Sequence, residues 1–196
     1  GKEDEREVGA LKTALLGFDG RRVVPEALRL LDATPLPGKA ALIDVIGEKG
    51  AKQEIDRVFA LASDPEPATR AAALGALAKL AGESDLPRLV AMLEQASDSD
   101  DVNRLQEAVA AAARSAADPE RRGVALVALL DQGTTVRKVA IRRTLPKVGG
   151  GKAFQASVRE SGSKDPQVQT AAVYALSQWP DYQAAEELLR IAATTG

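Results

Sequence analysis

The feature that most restricts what this chain can fold into is a helical pattern that returns at a nearly fixed interval. Residues 64–82 read DPEPATRAAALGALAKLAG, and Ala73, Leu74, Leu77 and Leu80, with Ala76 and Ala81, fall on one face at spacings of three and four. Asp64 is placed to cap this helix, Pro65 and Pro67 suit its entrance, and Gly82 suits its exit. With Leu74 as reference, equivalent helices carry Leu11, Leu42, Val109, Ile141 and Val173, at separations of 31, 32, 35, 32 and 32 residues. A second helical pattern lies after each: VVPEALRLLDA, AKQEIDRVFALAS, SDLPRLVAMLEQA, ERRGVALVALLDQ, KAFQASVRES and YQAAEELLRIAA. No stretch alternates convincingly as a strand. A fixed period of this size predicts an all-α, right-handed α-solenoid of about six antiparallel helix pairs, each burying its apolar face against the next.

The expected layout is a single domain, 1–196, with approximate repeats 5–32, 33–63, 64–97, 98–130, 131–162 and 163–196. The first helix of each repeat is termed A and the second B. The alanines follow from this layout. An A helix packs against neighbours on several sides, and small side chains let backbones approach to the short end of the usual 8–10 Å or so. Leu and Val fill the layer between A and B. The B helices are expected to line one broad surface.

Composition narrows the chemistry. Cysteine and histidine are both absent, which removes disulfides, thiolate and imidazole metal sites, cysteine nucleophiles and every Ser–His triad. No catalytic residue, metal site or cofactor is assigned. Net charge is −2, so the whole chain has no pull toward nucleic acid or an acidic membrane. No run approaches the eighteen or so apolar residues that span a bilayer. The opening GKEDEREVGA lacks a signal peptide's apolar core and an initiator Met. The chain therefore reads as a processed or excised part of a larger polypeptide, soluble, with its compartment open: cytoplasmic or, if a signal peptide has been removed, periplasmic or extracellular.

Repeats three and five, the latter DQGTTVRKVAIRRTLPKVG, place an Asp and an Arg six residues apart: Asp64 with Arg70, and Asp131 with Arg137. On these residues the chain resembles the HEAT and HEAT-like repeats, particularly the short bacterial form also found in phycobilin lyase-type proteins. The resemblance implies that these four residues form a polar ladder between adjacent repeats. It also implies a scaffold or adaptor function. The sequence departs from the pattern in repeat two, where Asp32 is followed by Gly38 at the Arg position, and in repeat six, which has Ser163 and Gln169. On a helical wheel Arg137 falls near the centre of its helix's apolar arc, where a guanidinium needs carboxylate and carbonyl partners.

Charge is uneven. Between Val102 and Lys152 ten basic residues face four acids, whereas the remainder carries 16 against 24. A candidate patch for an anionic partner comprises Arg121, Arg122, Lys138, Arg142, Arg143 and Lys147. The wheel puts Lys138 and Arg142 on one exposed edge and Arg143 and Lys147 on the other, so no single stripe forms. Asp98, Asp100 and Asp101 in ASDSDDVNR lack the glycine and distal glutamate of a calcium loop and read as a helix cap. KVGGGK (147–152) lacks phosphate-loop spacing and reads as a turn. Trp179, the one Trp, reads as packing over its own hairpin rather than as an interface anchor. The last helix keeps Leu188, Leu189, Ile191 and Ala192, an apolar face for further chain or for a second copy packed end to end.

The favoured function is a non-catalytic protein-interaction scaffold with a protein partner. Two alternatives stay open: polyanion or nucleic-acid binding through repeats four and five, and an accessory module of a cofactor-handling or lyase-type enzyme.

Overall fold

The computed structural model describes residues 2–118, 121–131 and 134–194; the side chains of 2–5, 131 and 194 lie outside that description. Among the described residues there are twelve α-helices and no strand. The A helices are α1 (Lys2–Leu16), α3 (Gly38–Glu48), α5 (Pro67–Leu80), α7 (Ser99–Arg114), α9 (Thr135–Val148) and α11 (Pro166–Ser177). The B helices are α2 (Gly20–Leu30), α4 (Ile55–Leu61), α6 (Leu86–Gln95), α8 (Val124–Asp131), α10 (Gly151–Glu160) and α12 (Tyr182–Thr194). Every helix stands where the returning pattern put it, and the fold is all-α and of solenoid class.

The chain divides into two compact units, 1–81 and 82–196. The boundary falls inside the third expected repeat, 64–97: its A helix closes the first unit and its B helix opens the second. In the first unit α3 packs against α1, α2 and α5. Ile43, Val45, Ile46, Val58, Leu74, Leu77 and Leu80 are almost completely buried there, each worth about 1.5–3 kcal/mol of transfer free energy for a Val, Leu or Ile side chain. Gly47 of α3 lies close against Ala76 of α5. A Cβ built on Gly47 would lie 2.8 Å from the Ala76 Cβ and 2.9 Å from its Cα. Small residues set the spacing of α3 and α5, as the alanine pattern requires. Leu11 departs from the expectation: it is 62% exposed, because α1 packs against α3 through another face.

A second departure concerns the start of α5. The helix is capped at Glu66 with Pro67 in its first turn and no side-chain cap bond. The Asp64 carboxylate instead accepts the Glu66 backbone N–H at 2.9 Å, folding the turn that precedes the helix. With two prolines so close, the helix begins only at the second, Pro67, which displaces Asp64 from the cap position.

In the second unit α9 is the central element, packed against α6, α7, α8, α10 and α11. Ala108, Ala110, Ala112 and Ala113 of α7 are buried, again allowing close packing. Asp98 caps α7, accepting from the backbone N–H groups of Asp100 and Asp101 at 2.9 and 3.0 Å. The KVGGGK segment spans the end of α9 and the start of α10, and its turn is Gly149 and Gly150, with φ of 70° and 86°, a backbone that other L residues rarely adopt. Trp179 is buried and meets the Phe154 ring edge-on, centroids 5.4 Å apart. It therefore packs on the B helix of the preceding repeat.

Candidate functional site

The basic region separates into residues with different roles. Arg142, expected on an exposed edge of α9, is 1% exposed and pairs with Glu160 of α10 through Nη2 and Oε2 at 2.6 Å. Its place in a surface patch is thereby corrected. The wheel gave α9 one buried arc, but a helix enclosed by neighbours on several sides buries Ile141, Arg142, Thr144, Leu145 and Val148 together. Arg137, expected at the centre of that arc, sits near the start of the helix and its side chain is 31% exposed. It reaches Glu94 of α6, with Nε and Nη2 at 3.0 and 2.9 Å from Oε2. The Thr134 hydroxyl donates to the same carboxylate at 2.5 Å. Those bonds, Thr134 first and Arg137 after it, hold Glu94 below the ordinary carboxylate range against the opposing effect of desolvation. The side chain of Asp131, the expected partner of Arg137, lies outside the described residues.

Polar links join adjacent repeats, and they bring in residues beyond the four expected ones. Arg70 donates to the Asp64 backbone carbonyl at 3.0 Å. The Asp64 carboxylate, lowered chiefly by the Glu66 N–H, has Lys39 of the preceding repeat at 3.4 Å. Further links in the first unit are Lys12 to Asp44 at 2.5 Å and Lys79 to Glu48 at 2.8 Å. Lys49 donates to the carbonyls of Leu16 and Phe18 at 2.6 and 2.7 Å. In the second unit Arg114 donates to the Lys147 carbonyl. Cations thus gather at the C-terminal ends of A helices, where the helix dipole favours them. Thr135 donates to Asp165 at 3.0 Å and, ahead of the backbone N–H groups of Gln167 and Val168, holds that carboxylate low.

Arg121 is exposed and Arg122 half-buried on the segment before α8, and Lys138 is half-buried on α9. Arg143 and Lys147 line one cleft together. This cleft, of about 770 Å³, crosses the A helices α7, α9 and α11 within the second unit. Asn103 and Gln106 of α7, Arg143 and Lys147 of α9, and Tyr174 and Gln178 on and just past α11 line it. Lys147 is paired with Glu107. Arg143 is exposed and has no hydrogen-bond or ion-pair partner among the described residues. Tyr174 is 53% exposed. No carboxylate is among the lining residues. A smaller recess adjoins the cleft through Val102, Gln106 and Arg143 and adds Val136, Val139, Gln167 and the carboxylate of Glu94.

Sequence reasoning missed Tyr174 and the amides, since each alone is an ordinary surface residue. A signal was present. Arg143 and Lys147 are 31 residues before Tyr174 and Gln178, one short of the 32-residue interval between these two repeats, so successive A helices place side chains close to the same face. The B helices carry a cleft too, of about 670 Å³ between α10 and α12, with Arg159, Glu186, Glu187 and Arg190 on its walls. The two glutamates and two arginines there balance one another. In the first unit an apolar recess of about 380 Å³ is lined by Leu15, Phe18, Val23 and Leu30. On α12 Leu189 is exposed and Leu188 half-buried. No described helix is long and apolar enough to cross a membrane.

Comparison with known families matches residues 24–114 to HEAT repeats. The match carries nothing specific to the phycobilin lyase-type form. No curated protein matches the chain.

Proposed function

We propose that this chain, whose residues 24–114 are HEAT repeats, is a non-catalytic protein-interaction module that uses the A-helix face of its second unit. The observation that carries the reading is the cleft across α7, α9 and α11, where an exposed Tyr, neutral amides and one unpaired Arg replace the self-balanced charges usual on a solvated helix surface. Aromatic and Arg side chains are the residues that anchor protein interfaces. The sequence alone favoured the B helices. The A face is preferred because its cleft is the larger and has an uncompensated cation, whereas Glu187 on the B side is taken by Arg190 at 3.0 Å.

A photo-crosslinking amino acid placed at Tyr174, or at Gln183 on the B side, tests the proposal in cells that make the protein. Light-dependent protein adducts at Tyr174 and not at Gln183 support it. Adducts to nucleic acid, or none from Tyr174, overturn it.

A further inference from the structure

From the cleft on α7, α9 and α11 we infer that the partner enters as an extended peptide segment carrying an acidic side chain, seated with its carboxylate on Arg143. The inference rests on the interaction-module reading and adds the partner's chemistry. Adjacent helices pack about 8–10 Å apart, so the run from α7 to α11 is roughly 16–20 Å. At about 3.3 Å per residue this accommodates five or six extended residues.

The wall chemistry fits a polypeptide backbone. Asn103, Gln106 and Gln178 line the cleft, and Gln167 lines the adjoining recess. A primary amide offers a donor and an acceptor in one plane, the same complement that a peptide group presents. Tyr174 adds a flat apolar surface with a hydroxyl at its edge, at little entropic cost. Val102, Val136 and Val139 provide the apolar floor of the recess. Specificity comes from charge. Lys147 is neutralised by Glu107, while Arg143 has no partner among the described residues; no carboxylate lines the cleft, and Glu94, which lines the recess, is taken by Thr134 and Arg137. A planar guanidinium in that position matches a carboxylate through two parallel hydrogen bonds. A polyanion fits poorly, since its repeated charges would fall on amides and valines after a single Arg.

The test is a selection of random heptapeptides displayed on phage against the full chain, followed by anisotropy titration of the enriched sequence carrying fluorescein. The expected result is enrichment of one Asp or Glu at a fixed position. Arg143→Gln should then weaken binding by about tenfold or more, the usual effect of losing a charged hydrogen-bonding partner. Arg121→Gln, exposed and outside the cleft, should leave it unchanged. Replacing the peptide's acid by its amide should weaken binding to the parent chain and not to the Arg143→Gln variant, which isolates the pairing. Unchanged Trp179 emission shows that the variants are folded. Peptides without an acidic position, or an acidic position indifferent to Arg143, overturn the inference. If crosslinking at Tyr174 still captures protein in that case, the interaction-module reading survives and only the acidic segment is lost. If both fail, the module reading falls as well.

Discussion

Glu160→Ala should be among the most damaging single changes in the second unit, and more damaging than removal of its partner. Arg142 is 1% exposed, and Glu160 is the carboxylate it pairs with at 2.6 Å. Its Nε and Nη1 already lack hydrogen-bond partners. Deleting Glu160 removes the carboxylate in ion-pair contact with this buried charge and leaves only the longer-range attraction of Asp165, and breaking a buried pair in this way typically costs about 3–5 kcal/mol. Deleting the Arg is different. Glu160 is 19% exposed and also has Arg159 at 3.2 Å, so Arg142→Met leaves a carboxylate that is still solvated and paired. Its long apolar side chain also refills much of the volume. The expected cost is below about 1 kcal/mol, since apolar replacements of buried ions are often neutral. Trp179 is the sole Trp and lies in the second unit, so its emission during urea unfolding follows that unit. With a slope of about 1.5 kcal/mol/M, Glu160→Ala should lower the midpoint by about 2–3 M. Arg142→Met should move it by less than about 0.7 M on the same slope, and should restore most of the loss in the Glu160→Ala background. Equal losses from the two single variants, or no rescue in the double variant, would refute the reasoning and make Arg142 a packing residue.

Gly47→Ala should destabilise the first unit by about 1–3 kcal/mol, the usual cost of overpacking. The added methyl would meet Ala76 backbone at 2.9 Å, and a thermal midpoint unchanged by circular dichroism would contradict this. Thr69→Val should raise that midpoint by removing a buried hydroxyl without a partner, a gain of about 1 kcal/mol by the cost of an orphaned polar group. Asp64, Glu94 and Asp165 have folded pKa values lowered from their ordinary range. Their stabilisation is therefore complete above that range and is lost as pH falls through the lowered values, so stability should decline below about pH 4. Thr135→Val removes the largest contribution to the Asp165 shift and should make the acid decline shallower; an identical profile would count against it.

Helix positions were legible because they depend on local periodicity and on Pro and Gly punctuation, which a single sequence records. The Gly47–Ala76 approach was legible in kind from the alanines, although not as a specific pair. The polar residues were harder. Arg142 and Arg143 are adjacent in sequence, yet one is buried and the other lines a cleft. A wheel drawn for one helix carries no record of how many neighbours enclose it. The same limit hid the Arg137 partner, since Glu94 is 43 residues away and outside the i to i+6 spacing of the family ladder. Tyr174 and Gln178 became informative only beside Arg143 and Lys147, where the repeat interval brings them to one cleft.

The most direct test of the central claim, that this module reads protein through a single unpaired Arg, is a titration with mixed-sequence single- and double-stranded nucleic acid at low and moderate salt. It uses the full chain and its Arg143→Glu variant. The account predicts no binding that depends on Arg143 at either salt concentration. Tight binding at low salt that falls steeply with added salt, as phosphate contacts require, and that vanishes in a folded Arg143→Glu variant would contradict it and make the cleft a polyanion site.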